Sequence, residues 1–210
     1  MGLNKEELAL RAKEHTKEVS TKYAELITNS IEKTKEYSVG VEITSKRTNA
    51  KNRVILEPID SVTALLSHQE GKVGVLNFAS YKRPGGKFLD GSKAQEECLC
   101  HESYLYNVLK EKQTYYEWNK RHKNLAQYLN RCLYTPDILF TRGEKKAFAD
   151  VITCAAPNIT PARKYGWDVS DLVNSNNLYN RIKFVLDIAE DNEIDTLILG
   201  AYGCGGAMCC

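Results

Sequence analysis

What the chain lacks narrows its function first. No apolar run approaches the roughly 20 residues needed to cross a bilayer. The N-terminal stretch "MGLNKEELALRAKEHTKE" is charged throughout and has no apolar signal core. Gly2 follows Met1, but Lys5 and Glu6 provide no Ser or Thr where a myristoylation signal needs one. No membrane association is expected, and a cytoplasmic location follows. An excess of one charge is also missing: 29 Lys+Arg stand against 27 Asp+Glu, a net charge of +2. That balance argues against non-specific nucleic-acid binding as the main task, so no dedicated nucleic-acid site is expected, while a local basic patch stays open.

Metal-ligand spacing is absent as well. The seven cysteines include no CxxC pair and the four histidines are scattered, which argues against a zinc site. Cys98 and Cys100 are one residue apart, and Cys204, Cys209 and Cys210 crowd the end. In a reducing compartment most of these thiols are expected to be small buried apolar residues. A chain of 210 residues buries a core without such staples. The nucleotide signatures fail too: Gly86-Lys87 lacks the earlier glycine of a Walker loop and is followed by Phe88, and no GxGxxG occurs. There are no repeats or low-complexity tracts.

What is present reads as alternating helix and strand. Leu8, Ala12, Val19, Tyr23, Leu26, Ile27 and Ile31 recur at three- and four-residue steps, predicting a helix over 4–37. "SVGVEITS" and "RVILEP" read as strands separated by the polar "TNAKN", with Pro58 stopping the second. Asp60 is placed to cap a short helix, "SVTALLSHQ". "KVGVLNFAS" reads as a buried strand, residues 94–112 as a helix, and "YYEWNKRHKNLAQYLNR" as an irregular one. "DILFTR" and "ADVITCAAP" predict further strands, and 158–170 a long loop. "LYNRIKFVLDIAEDN" predicts a helix, and "IDTLILGAYGCGG" a strand entering a glycine loop. The pattern predicts an α/β fold with helices flanking a parallel or mixed sheet. The one boundary falls near 36–40, dividing a helical extension (1–38) from the sheet domain (39–210).

Two glycine-bearing loops, "RPGGKFLDG" and "GAYGCGG", begin beyond predicted strand ends, where α/β sheets bind ligands. They admit two readings: ordinary turns, or backbone cradles for a diphosphate. Glu96 and Glu97 open a predicted helix. Helical neighbours splay by about 100°, so one carboxylate is expected to face a ligand and the other a different contact. Two readings stand here also, favourable charge at a helix start and acid/base chemistry beside an anion cradle. His101 reads as a surface or capping residue, Tyr104 and Tyr106 as core or rim, and Trp167 as a packing residue.

"LNFASYKRPGGKFLDGSKAQEECLCHESYLY", "PDILF", "DVITCAAPN" and "LILGAYGCG", in that order, resemble the microbial-type poly(ADP-ribose) glycohydrolase family. The resemblance spans roughly residues 40–205, and the 4–37 helix resembles the family's N-terminal extension. Its most specific element is a glycine loop followed after a short spacer by Gln-Glu-Glu, here Gly85-Gly86-Lys87, seven residues, then Gln95-Glu96-Glu97. The resemblance implies a macrodomain-like fold and metal-free, cofactor-free hydrolysis of the ribose–ribose O-glycosidic bond in poly(ADP-ribose). Its ligand would be ADP-ribose or an ADP-ribosylated macromolecule. Carried across, Glu97 is the catalytic glutamate and Glu96 orients the ribose. Asn77 and Ser80 lie by the distal ribose, Gln95 belongs to the same motif, and Gly85 and Gly86 border the ligand. Gly203, Cys204 and Gly205 form the diphosphate loop. Two departures favour the alternative of a non-catalytic ADP-ribose-binding module or an inactive remnant. Lys87 replaces the family's third glycine and brings a Cβ and a charge to the expected ligand, where it would bind substrate by gripping phosphate or else narrow the cleft. The sequence "GCGGAMCC" ends where the family continues with an aromatic residue, a helix and a strand, and a truncated or frame-shifted coding sequence is the expected cause.

Overall fold

In the computed structural model, which describes residues 3–43 and 53–204, the chain builds a five-stranded mixed sheet with helices on both faces. The strands are β1 (Lys35–Tyr37), β2 (Val73–Phe78), β3 (Cys132–Arg142), β4 (Lys145–Cys154) and β5 (Thr196–Ile198), in the order β1-β3-β4-β2-β5. β2 pairs parallel with both β4 and β5, whereas β3 runs antiparallel to β1 and β4. The start of β3 therefore lies at the same end as the C-terminal ends of β2, β4 and β5. That end carries both glycine loops.

Alternation along the strands separates two apolar layers. Val73, Val75, Leu133 and Val151 face a core shared with Leu99, Leu105, Val108 and Leu109. Leu76, Tyr134 and Ile152 face the opposite core, formed with Phe184, Val185 and Ile188. The latter side chains come from α8 (Asp171–Asp191), and the former from α4 (Gln95–His101) and α5 (Leu105–Leu109).

The N-terminal residues form two helices, α1 (Lys5–Lys22) and α2 (Ala24–Lys33), rather than the single predicted one. Asn4 caps α1 in a reciprocal capping box with Glu7. The helices part at Tyr23, whose ring packs against Tyr104 at 5.9 Å. The predicted helical span then ends in a strand, because Lys35–Tyr37 pair with Cys132–Tyr134. Ala12, Val19 and Ile27 belong to the same core as β2 and α5, so helices and sheet share one packed interior. α1 also buttresses the first glycine loop. The His15 ring meets Phe88 edge-on at 6.5 Å, and Lys93 Nζ donates to the Leu3 carbonyl at 3.0 Å.

Several expected elements differ for identifiable reasons. "RVILEP" forms no strand: Val54 and Leu56 are 92% and 97% exposed, so this apolar run has no sheet face to bury. The described part of "SVGVEITS", 38–43, is also irregular; Thr44, Ser45 and "TNAKN" lie outside the described residues. The helix expected over 94–112 breaks into α4 and α5, because the Glu102 carbonyl accepts from Thr141 N–H at 2.7 Å and Ser103 bridges to Phe140. The irregular stretch begins with a helix, α6 (Gln113–Arg121), then turns through left-handed backbone at Asn124, Leu125, Ala126 and Tyr128. The loop predicted over 158–170 contains a short helix, α7 (Thr160–Tyr165), with proline in its first turn. Asp60 caps α3 (Ser61–Ser67) as expected, accepting from Val62 and Thr63 N–H.

The turn after the Phe88–Asp90 helical turn depends on Gly91. Its φ is +76°, and a Cβ there would collide with the Lys5 carbonyl oxygen in α1. Gly91→Ala combines left-handed strain with that clash, so it is expected to destabilise the fold by about 2 kcal/mol or more in urea unfolding. Wild-type stability in this variant would show that α1 does not brace the loop.

Candidate active site

The site is assembled where β2 ends and α4 begins. Gln95 joins them: its Oε1 accepts from Phe78 N–H at 2.9 Å, and its Nε2 donates to the Leu76 carbonyl at 2.8 Å. Its amide thereby completes the backbone hydrogen bonding of a strand end and fixes the first turn of the helix. Both following glutamates are buried, Glu96 at 3% and Glu97 at 4% exposure.

Glu96 Oε2 accepts from Ser80 N–H at 2.7 Å, and its Oε1 faces Asn77 Nδ2 at 3.4 Å. Asn77 is fully buried; its Nδ2 also reaches Thr153 Oγ1 at 3.3 Å, while its Oδ1 has no partner. Glu97 Oε1 accepts from Lys87 N–H at 2.8 Å. Glu97 Oε2 is buried with no hydrogen-bond partner. A buried carboxylate oxygen left open in this way is an exception among buried polar groups.

The two carboxylates converge instead of diverging as helical splay predicts. A Cβ placed on Gly86 would lie 2.6 Å from Glu97 Oε1 and 2.9 Å from Glu96 Oε2. Gly86, at φ +60°, is thus the point both acids approach, and any side chain there would push them apart. Lys87 behaves differently from a strained substitute for glycine. Its backbone sits at φ −113°, open to any residue, and its exposed side chain leaves only the N–H facing Glu97. Gly85 packs where a Cβ would meet the Tyr106 ring and Cys100 Sγ.

Burial pushes the Glu96 carboxyl up to about 8. The Ser80 N–H opposes that shift, and the charge of Glu97 adds to it. With its carboxyl raised in this way, Glu96 retains its proton near neutral pH.

The second glycine loop leaves β5 beside β2. Gly200 lies against the Phe78 ring, and Phe78 and Tyr202 pack at 5.6 Å. Tyr202 Oη donates to the Cys154 carbonyl at 3.0 Å, tying the loop to the end of β4. Gly203, at φ +83°, faces Leu178 of α8, and Cys204 is exposed. Gly205 lies outside the described residues. The structure thus gathers Asn77, Ser80, Gly86, Lys87, Glu96 and Glu97 around one point, with Gly203 and Cys204 on the neighbouring loop.

Sequence reasoning missed Thr153, the register partner of Asn77. The lone polar side chain of β2, and a threonine within the apolar end of β4, were the available signal. His101 is half-buried: among the described residues neither ring nitrogen has a hydrogen-bond partner, and the ring meets Phe88 at 4.6 Å. Burial, then the charges of Arg11 and His15, lower its pKa to about 4, so it packs as a neutral ring. Tyr104 is core, donating to the Asp137 carbonyl at 2.5 Å, and Tyr106 packs against Phe88. Trp167 is 39% exposed rather than packed away.

A mixed sheet carrying two glycine loops and a buried acid pair at one end defines a macrodomain-like fold. Residues 5–143 match the family model for the microbial-type PARG catalytic domain, and the chain belongs to that family of poly(ADP-ribose) glycohydrolases. Among solved structures, the poly(ADP-ribose) glycohydrolase of Thermomonospora curvata has the same fold: TM-score 0.79 at 24% identity, covering 94% of this chain and 80% of that one. The same enzyme bound to the inhibitor ADP-HPD matches at TM-score 0.73 and 26% identity, covering 94% and 79%. The Deinococcus radiodurans glycohydrolase in complex with ADP-ribose matches at TM-score 0.70 and 26% identity, covering 85% and 77%. No curated protein sequence matches the chain.

The raised Glu96 pKa carries a sign. A carboxyl held near 8 when folded, against about 4.5 when unfolded, binds more protons in the native state between those values. Its contribution is therefore complete below about pH 4.5 and lost as pH rises toward 8. Glu96→Gln is expected to flatten the pH dependence of unfolding between pH 5 and 8. At pH 8 it should exceed the parent in stability by about 1 kcal/mol or more. A parent whose stability rises over that window would contradict the assigned shift.

Proposed function

We propose that the chain hydrolyses the ribose–ribose O-glycosidic bond of poly(ADP-ribose), or a related ADP-ribosyl linkage, with Glu97 as the acid/base. The observation that carries this reading is Glu97 Oε2, a buried oxygen without a partner on a side chain whose other oxygen is fixed by Lys87 N–H. The departing ribose oxygen needs a proton, and the remaining sugar becomes oxocarbenium-like. Glu97 donates through the free oxygen; once ionised, it stabilises the cation and activates water.

Glu96 assists as an orienting group. Ser80 N–H holds it, and its elevated pKa keeps it neutral, so it adds no negative charge to the pocket once Glu97 has given up its proton. Asn77 presents an unused Oδ1 from the strand end, suited to a ribose hydroxyl. Gly85 and Gly86 admit the ligand close to the backbone, while Gln95 holds the first turn of α4 in place and acts at a distance. Gly203, Cys204 and Gly205 receive the diphosphate, so that binding remote from the broken bond positions the sugar. Support for the ligand comes from the relatives bound to ADP-ribose and to ADP-HPD. The ordinary backbone of Lys87 favours catalysis over the alternative of a binding-only module, because its side chain leaves the loop undistorted.

Glu97→Gln should lower kcat on labelled poly(ADP-ribose) by about a thousandfold or more while changing ADP-ribose affinity by less than about threefold. Turnover equal to the parent's would remove Glu97 from its role. ADP-ribose binding with no turnover in the parent would establish the binding module instead.

A further inference from the structure

The loop between α6 and β3 takes no part in the acid pair, yet it covers a separate cavity of about 290 Å³. Asn124, Tyr128, Asn130, Asn177, Asn180 and Arg181 line this cavity, and among the described residues no carboxylate does. Arg181, from α8, is 1% exposed. Its Nε donates to Asn130 Oδ1 at 2.7 Å and a terminal nitrogen donates to the Ala155 carbonyl, both neutral oxygens. Among the described residues this deeply buried guanidinium has no ion-pair partner, the counter-charge that buried cations ordinarily have. Its positive field is felt nearby. Burial raises the Cys154 thiol, but hydrogen bonding with Cys132 and the charge of Arg181 bring it below its usual value.

One aromatic stack links the cavity to the segment beside the acid pair. Tyr128 stacks on Tyr81 with ring centroids 4.0 Å apart and planes at 16°, and Tyr81 directly follows Ser80, which holds Glu96. Tyr81 Oη donates to the His122 carbonyl at 3.0 Å, and Asn119 Nδ2 donates to the Tyr81 carbonyl at 2.9 Å. The last turn of α6 and this loop bring exposed Arg121 and Lys123 close before Asn124, while Lys120 is paired with Glu117 at 2.6 Å. This is a local basic patch in a chain of nearly balanced charge.

We propose that this cavity is a second phosphate-binding subsite, taking a phosphate of the ADP-ribose unit next to the one in the cleft. Assigning the phosphate to a neighbouring unit rests on the glycohydrolase reading; the anion site itself does not. Arg181 supplies the fixed positive charge, the asparagine amides supply N–H donors, and the exposed cations draw the polyanion in. With Tyr128 as the partition, one substrate chain spans both compartments.

The first test titrates inorganic pyrophosphate into protein saturated with ADP-ribose, followed through the side-chain amide NMR signals of Asn130, Asn177 and Asn180. A saturable shift is expected, weakened about tenfold by Asn180→Asp, which sets a carboxylate at the cavity beside Arg181. Because Asn180 is exposed, the variant should keep its Tm; Arg181→Met, checked for folding by circular dichroism, should behave alike. No saturable shift in the parent, or equal pyrophosphate affinity in Asn180→Asp, would overturn the site. If ADP-ribose fails to occupy the cleft, the glycohydrolase reading suffers, and the same titration without it still reads the cavity. The second test compares a dimer of ADP-ribose with the monomer on Glu97→Gln protein. The dimer should bind about tenfold tighter, and adding Asn180→Asp should erase that advantage. Equal affinities in the Glu97→Gln protein would overturn the assignment to a neighbouring unit.

Discussion

The convergence of two buried carboxylates on the unsubstituted face of Gly86 is the constraint around which the rest of this structure is arranged. Like charges brought this close out of water are costly, so the surroundings must hold them there. Backbone N–H groups from Ser80 and Lys87 each take one oxygen, and Gln95 locks the helix turn onto β2. The two N–H contacts come from loops rather than from the acids' own helix, and Gln95, the first residue of α4, ties that helix to the strand end. The glutamates are consequently positioned by tertiary structure, and α4 supplies only their starting point.

That dependence extends to the N-terminal helices. α1 presses on Gly91 and Phe88, and these close the loop that carries Gly86 and Lys87. The same helices complete the apolar layer beneath α4 through Ala12, Val19 and Ile27. A segment that reads as an appendage in sequence is, in packing terms, part of the floor of the acid pair. The strand Lys35–Tyr37 then ties that segment to the sheet margin through β3.

Much of this was legible because periodicity and turn chemistry are local. β2, β4, α8 and the Asp60 cap follow from apolar runs and one well-placed carboxylate. Glu96 and Glu97 were visible as a pair beside a glycine loop. What could not be read was set by distant partners. The splay of adjacent helical residues predicted divergent acids, yet the long side chains bend back toward Gly86. Lys87 looked like a steric and electrostatic problem because its φ is not written in its identity; at −113° it needs no glycine. Val54 and Leu56 carry the right propensity for a strand but have no sheet face to cover, and propensity alone does not supply one. The break at Glu102 and Ser103 similarly depends on β3, 37 or more residues onward for the bonded Phe140 and Thr141.

The site and the neighbouring cavity have opposite electrostatic characters, and one tyrosine stack separates them. On one side, burial raises an acid until it holds its proton; on the other, burial traps a cation without a carboxylate. A neutral ligand would gain from only one of these environments. A phosphate-rich sugar chain suits both, since its glycosidic oxygen needs a proton while its phosphates need positive charge. The near-zero net charge of the whole chain sharpens this argument, because attraction for such a ligand must then come from where charges are placed and not from their sum.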